Sequence, residues 1–450
     1  MWPRLLAETW AAVSGDQPLP AGLEVTGEPG QLPSRLPVAD MAIACTGAAL
    51  LAAAALRAQH GRPVRAVRLD RARLAAAYLS ERYPRVNGQP APSGFAPLSR
   101  FWPAADGWVR THANYPWHRE ALLRALGTAE DPAAVGAAIA RRAARDVEAR
   151  VVEAGGVAAA LRTEDQWRAE PPGKATAANP LVGGGRTGDA PPRHRGPGPL
   201  PASGVRVLDL TRVIAGPVCT RYLAALGADV LRIDPPHRPE LPSQAIDSLP
   251  GKRSALLDFG AHDVHDLLDQ ADVLVHGYRP HALDRFGLSP EALAQRHPGL
   301  VSVSLSAWGG SGPWGGRRGF DSIVQVATGI AVAESPDGDR PGALPCQLLD
   351  HGSGYLCAAA ALSSLAAQEA EGGTHARYAS LVTTSLALLA QPRATPPAEA
   401  PTVEPELITL PGGVMVVPPP GELDGVPLRW DRPLARYGAD PPAWSGTSVR

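Results

Sequence analysis

Cysteine is scarce. Cys45, Cys219, Cys346 and Cys357 are the four in 450 residues, and none belongs to a CxxC pair. That spacing excludes a cysteine-rich zinc module and a dithiol redox motif, and so few cysteines fit a reducing compartment, the cytoplasm. Lysine is scarcer still. Only Lys174 and Lys252 occur, so arginine supplies the rest of the 43 basic side chains. Net charge is nearly absent, at −1, which argues against a nucleic-acid or membrane-surface partner. The longest apolar run, Met41 to Leu56, is alanine-rich and short for a membrane span; it reads as a buried helix. The opening MWPRLLAETWAAV reads as an amphipathic helix with an early acid rather than a signal peptide. No GxSxG elbow occurs, and the first strand–helix turn of the second half has no GxGxxG, so neither a serine hydrolase nor a dinucleotide enzyme is supported.

What is present suits a soluble globular protein of two or three domains, with 44% hydrophobic and 19% charged residues. Residues 1–85 read as a helical segment. Within it, Leu36 to Leu79 resembles a later stretch, Leu344 to Leu389. Both have a proline, then an aspartate (Asp40, Asp350), an alanine-rich helix, a glycine turn (Gly61, Gly373), a short strand and a second helix, which reads as an internal repeat. Residues 86–170 read as a small α/β unit, with a strand at Gly107–His112 and helices beyond Trp117. His112 and His118 flank a Tyr-Pro turn and read as surface or strand-end histidines rather than pocket lining. Residues 171–203 are a Pro/Gly-rich linker by composition, with Gly183–Gly185 discounted as a phosphate loop because no strand precedes it.

From Gly204 short apolar strands alternate with helices: Val205–Leu210, Asp229–Ile233, Ser254–Leu257, Val273–His276 and Leu300–Leu305. This predicts an α/β fold, a doubly wound parallel-sheet (Rossmann-like) domain over 204–390. Ligands bind such sheets at the carboxyl ends of the strands, so the loops Arg212–Gly216, Gly277–Pro280 and Ser306–Gly319 are the informative ones. His262 and His265 lie one turn apart, but no third metal ligand is near, so they read as a solvated helix face. Residues 391–450 form a Pro-rich tail. Asp350 stands at the mouth of an alanine-rich helix. One reading is a helix cap; the other is a carboxylate nucleophile.

The run Gly204–Pro217 (GVRVLDLTRVIAGP) resembles the opening of class III CoA-transferases, the carnitine/bile-acid/formyl-CoA transferase family. So do Leu226–Val230, Gly251–Ser254 (which holds Lys252), Ala271–Pro280, Ala282–Gly287, Ser311–Pro313 and Gly319–Asp321, all in family order over about 204–390. Domain order departs from the family: residues 86–180 resemble its small domain yet precede the sheet domain. The fragment Val426–Trp430 resembles its closing segment. The resemblance implies an acyl-CoA:carboxylate CoA-transferase in which Asp350 forms aspartyl anhydride and aspartyl-CoA intermediates. Backbone N–H groups at its helix start would stabilise oxyanions, and Gly352 and Gly354 would admit substrate.

For coenzyme A the resemblance implies Ile214, Ala215, Leu257, Asp258, Gly277, Tyr278, Arg279, Arg285, Arg318, Gly319, Phe320 and Asp321. A basic residue of some members is missing at Pro235. It further implies acyl-CoA and a small carboxylic acid as partners, a homodimer and no metal. Related α-methylacyl-CoA racemases carry a histidine where Phe320 stands, and phenylalanine is no general base, which favours CoA transfer. The other alternative is a catalytically silent CoA-binding member, with Asp40 as the degenerate copy of Asp350.

Overall fold

The computed structural model describes residues 1–20, 22–92, 94–196, 198–395 and 403–444. Its centre is a seven-stranded sheet built from β1 (Val182–Gly188), β2 (Arg206–Leu210), β3 (Asp229–Asp234), β4 (Arg253–Leu256), β5 (Val273–His276), β6 (Val301–Ser306) and β7 (Thr374–Ser380). The order across the sheet is β4-β3-β2-β5-β6-β7-β1. Strands β2 to β7 are all parallel, and β1 runs antiparallel on the β7 edge. Successive residues of a strand face opposite sides. Val207, Val230, Val273 and Val301 accordingly enter one core while Leu208, Leu231 and Leu274 enter another. Apolar runs unbroken by polar residues are what a sheet buried on both faces requires. Chain direction reverses its progress across the sheet between β2 and β5, which leaves a crevice there at the strands' carboxyl ends.

The linker reading of 171–203 does not hold. Pro171–Thr176 is helical, and Val182–Gly188 is β1 itself. The glycines read as linker residues are there for close pairing: a Cβ at Gly184 would meet the Ala376 carbonyl oxygen at 2.0 Å, and one at Gly183 the Tyr378 ring at 2.2 Å. Farther on, Arg195 is pinned to Asp272, Glu369 and Gln368. The tail is likewise ordered where described. Glu422–Leu423 and Val426–Pro427 form a hairpin, and Trp444 packs under the sheet.

The small unit is an antiparallel sheet, Phe101–Ala104, Gly107–Thr111 and Ala158–Ala160, covered by helices Pro116–Leu126, Pro132–Ala140 and Ala144–Glu153. The two stretches compared in sequence begin alike in structure. Asp40 and Asp350 are each the third residue of a long helix, Val38–Gln59 and Leu348–Glu371. The residue before each helix has nearly the same backbone geometry, φ −75°, ψ 61° at Pro37 and φ −79°, ψ 65° at Gln347. The two helices run side by side in one direction, with Cys45 facing Gly352 near their starts and His60 meeting Glu369 at their ends. Val38–Gln59 is long and apolar enough to cross a membrane by length and composition alone, but its apolar surface is buried inside the protein.

Each repeat continues into a strand and a helix capped by its own last strand residue, Asp70 or Ser380. The edges are exchanged. Strand β1, which follows the small unit, completes the sheet at β7, while the tail strand Glu422–Leu423 pairs antiparallel with Val67–Asp70.

At the C-terminal end of central strand β2, Asp209 is fully buried. It accepts from the Thr211 N–H and hydroxyl, from the Thr220 hydroxyl at 2.7 Å and from Lys252 Nζ at 2.9 Å. Burial pulls the Lys252 ammonium down to about 8 despite its carboxylate partner. This knot fixes the β2 loop to the sheet. A buried pair broken on one side leaves an uncompensated charge. Lys252→Met should therefore lower the unfolding free energy in guanidinium chloride by about 3–5 kcal/mol, and adding Asp209→Asn, which keeps the acceptor without the charge, should recover part of that loss.

Candidate active site

The carboxyl ends of β2 to β6 open into a cleft of about 700 Å³. Ala215, Leu257, Asp258, Gly277, Tyr278, Arg279, Arg285, Arg318, Gly319 and Phe320 line it together with Asp350. Two expected ligand contacts are elsewhere. Ile214 is buried just before the helix Ala215–Ala225 and does not line the cleft, and Asp321 lies behind it, fully buried. A Cβ at Gly277 would meet nothing within 4 Å, so that backbone faces open cleft.

The cleft is cationic. Arg212, Arg238, Arg279, Arg285, Arg317 and Arg318 all border it. Among the described residues Arg238, Arg279, Arg285 and Arg318 have no carboxylate partner; Arg279 donates only to the Gly316 carbonyl, at 3.1 Å. Burial, and then the charges of Arg279 and Arg238, hold the Arg318 guanidinium below its usual range. Cations crowded without counter-ions suit a multiply charged anion, and guanidinium groups bind phosphate bidentately. Three residues after Pro235, Arg238 borders the cleft and stacks on Trp117 with its guanidinium 5.3 Å from the ring centre. A turn at Pro235 to Arg238 carries it there, and register matching alone does not reveal such an offset.

Asp350 stands at the inner end. Its backbone N–H and that of Leu349 both donate to Asp321 Oδ2, at 3.1 and 2.8 Å, and Gln325 donates to the other oxygen of Asp321. The expected oxyanion donors at this helix start are therefore already engaged, the His351 N–H by the Gln347 carbonyl as well. Burial, then the neighbouring charge of Asp321, then Glu81, push the Asp350 carboxyl well above its usual range. Asp321 is raised to about 6, by burial first. Behind the pair His351 is fully buried, with Nε2 3.3 Å from Glu81 Oε2. Burial raises Glu81, and the hydrogen bond and charge of His351 more than offset it, leaving that carboxyl lowered.

Neither helix glycine admits substrate. Gly354 packs on the Ala215 carbonyl, which a Cβ would approach to 2.4 Å, and Gly352 faces Cys45 and Thr384. Their role is close helix packing.

The outer wall comes from the small unit, through Tyr115, Trp117 and His118. His112 and His118 are not surface residues; each is 5% exposed. The His112 ring stacks on Phe320 at 3.7 Å between centres. Burial pulls His118 down to about 3, helped by Arg318, Arg238 and Arg212. The signal that marks this wall is aromatic density: Tyr115, Trp117 and His118 fall within four residues of a chain with only 5% aromatics. The other histidine pair also changes. His265 is buried, with Nδ1 2.7 Å from His297 Nε2 and Nε2 2.9 Å from the Phe286 carbonyl, while His262 stays exposed.

One carboxylate ties wall and loop together. Glu240 has a buried side chain that accepts from the Tyr115 hydroxyl, from Arg232 at 3.1 Å and from the Val213 N–H at 2.9 Å. Val213 holds φ at +71°, costly for a β-branched residue and typical of ligand loops.

Residues 202–406 match the model described as CoA-transferase family III. Over that segment the chain is similar to family III CoA-transferases. A probable fatty acyl-CoA transferase of Mycobacterium tuberculosis is 33% identical over 189 residues, which are 38% of this chain and 48% of the relative. The acetyl-CoA:oxalate CoA-transferase of Acetobacter aceti is 33% identical over 192 residues, 39% and 49% of the two chains. A crystal structure of the M. tuberculosis protein aligns at TM-score 0.40 and 33% identity, over 42% of this chain and 56% of that one. The chain thus spans about half the length of the curated relatives it matches. Within the matched segment lie the β2 loop, the arginines of the cleft and Asp350; the wall of Tyr115, Trp117 and His118 lies outside it.

A hydrogen bond to a charged acceptor contributes about 1.5–3 kcal/mol. Glu240→Gln should therefore speed exchange of the Val213 amide roughly tenfold or more in hydrogen-exchange NMR or mass spectrometry, while amides inside β2 keep their protection.

Proposed function

We propose that the protein is an acyl-CoA:carboxylate CoA-transferase with Asp350 as nucleophile. The observation that carries this is a buried carboxylate, Asp350, lining a cleft that also holds four arginines without carboxylate partners among the described residues. The phosphates of coenzyme A would sit on those arginines, with the thioester reaching in to Asp350. Relatives named for acyl, oxalate, succinate and glutarate CoA transfer support the reaction class. The working form is read as a homodimer in the cytoplasm. Four free, buried cysteines fit a reducing compartment, and the dimer rests on the family alone.

In the proposed sequence an Asp350 oxygen attacks the acyl-CoA carbonyl. The C–S bond breaks, giving a mixed anhydride and CoA thiolate. The thiolate attacks the aspartyl carbonyl and expels the first acid, leaving an aspartyl-CoA thioester. The acceptor carboxylate attacks that thioester and releases the thiolate again, which then takes the new acyl group and regenerates Asp350. The raised carboxyl of Asp350 suits the role, since a more basic carboxylate is a stronger nucleophile once ionised.

Racemisation needs a base near the α-carbon. The structure brings His118 into the cleft, but a group drawn down to about 3 is a poor base at neutral pH, so transfer stays the better reading.

Incubation with a panel of acyl-CoAs followed by hydroxylamine trapping and mass spectrometry should mark Asp350. The Asp350→Ala variant should bind CoA without being marked; binding without marking by any donor in the wild type would sink the proposal. Asp321→Asn keeps acceptors for the Leu349 and Asp350 N–H groups and removes a negative charge that raises Asp350. The coupled carboxyls titrate as a pair. The acid limb of kcat/KM should then move to lower pH than in the wild type.

A further inference from the structure

Three buried side chains of the small unit each hold a polar atom with no hydrogen-bond partner among the described residues. Arg110 is 8% exposed, and among the described residues its guanidinium has no hydrogen bond and no ion pair. It lies over two rings instead, 4.6 Å from the centre of Phe95 and 4.9 Å from that of Phe101. Burial draws it down to about 10, and the one charge that opposes this is Asp321. His112 and His118 each bury Nδ1 without a partner. The rings of these two histidines are 6.4 Å apart, and both border Phe320, His118 at 5.7 Å. Native proteins rarely leave buried polar atoms unpaired, and an unpaired buried cation is more costly still. Three such atoms lie in one corner, next to the Phe320–Asp321 step that holds Asp350.

We infer that Arg110, with His112 and His118 beside it, binds a carboxylate of the acid substrate. The inference rests on the CoA-transferase reading and adds to it the group that recognises the acid. The chemistry is specific. The missing partner must be anionic to pair with Arg110 and must accept hydrogen bonds from neutral imidazole N–H groups. The phosphate-binding arginines of the cleft mouth are on other elements, at the sheet ends. Of the three, His118 lines the cleft together with Phe320 and Asp350, His112 stacks on the Phe320 ring, and Arg110 and His112 meet at Phe95 behind that wall. A carboxylate held on this side of Phe320 is offset from the reacting carboxyl, as the far end of a short dicarboxylic acid would be. A monocarboxylic acid would engage Arg110 with its single carboxylate before turning to react.

The test uses the full chain saturated with CoA and titrated by calorimetry with acetate, propanoate, oxalate and succinate, in wild type and Arg110→Met. Methionine keeps the apolar stem over Phe95 and Phe101 and removes the charge. The expected result is a loss of acid affinity of about tenfold to a hundredfold with CoA affinity unchanged. A loss confined to oxalate and succinate assigns the far carboxylate; an equal loss for acetate and propanoate assigns the single one. Melting temperature separates recognition from a structural role: removing an unpaired cation should leave it unchanged or raise it. Acid affinity unaltered by Arg110→Met, or a falling melting temperature with CoA and acid affinity lost together, would overturn the inference. Failure of the wild type to bind CoA at all would instead count against the CoA-transferase reading.

Discussion

Two carboxyl groups share one helix start, and the rest of the site is arranged around that constraint. Asp321 takes the N–H groups of Leu349 and Asp350, so the helix dipole that would stabilise an ionised Asp350 is spent on its neighbour. Both acids are buried, and each charge disfavours the other. The architecture resolves this by placing Asp350 at the cleft, where a ligand can react with it, and Asp321 behind it, where only protein groups reach. Gly319-Phe320-Asp321 is thus one device. The aspartate holds the nucleophile's helix, the phenylalanine carries the aromatic wall, and the glycine packs against Ala307 and Trp308, leaving no room for a Cβ.

A second set of buried charges keeps the cleft loops in place. Arg232 joins Asp234 and Glu240, Glu240 joins Tyr115 and Val213, and Lys252 joins Asp209. These links run from the central strands outward to the small unit. The wall is therefore positioned by the sheet, and a strained backbone at Val213 persists because several partners determine it together.

Much of the sheet was legible because a doubly covered parallel sheet writes itself as short apolar runs. Val273–His276 is observed as expected, and the other strands of the second half shift by a residue or two. Strand β1 was not legible. Its glycines and polar residues carry no strand periodicity, and they are in place because β7 leaves no space for side chains at Gly183 and Gly184. In the site, residues that follow strands in register, from Ala215 to Phe320, line one cleft. Asp321 was misassigned because sequence order does not say which of two adjacent residues faces a cleft. The buried states of His112 and His118 were hidden for a similar reason: their surroundings come from Phe95 and Phe320, far apart in the chain. The glycines after Asp350 were read as openings and are contacts between helices.

The exchanged edges have a consequence for the chain as an object. Strand β1 belongs in sequence to the first half and closes the sheet of the second; Glu422–Leu423 belongs to the second and closes the strands of the first. Each half therefore wears part of the other. Severed between them, either piece would present a bare row of backbone donors and acceptors, the surface on which strands aggregate. Continuity of one polypeptide does here what mutual clasping does between separate subunits, and it does so without demanding that the two halves be alike. That freedom shows in the twin aspartates: Asp40 is occupied with the backbone N–H of Trp2, while Asp350 remains open to the cleft.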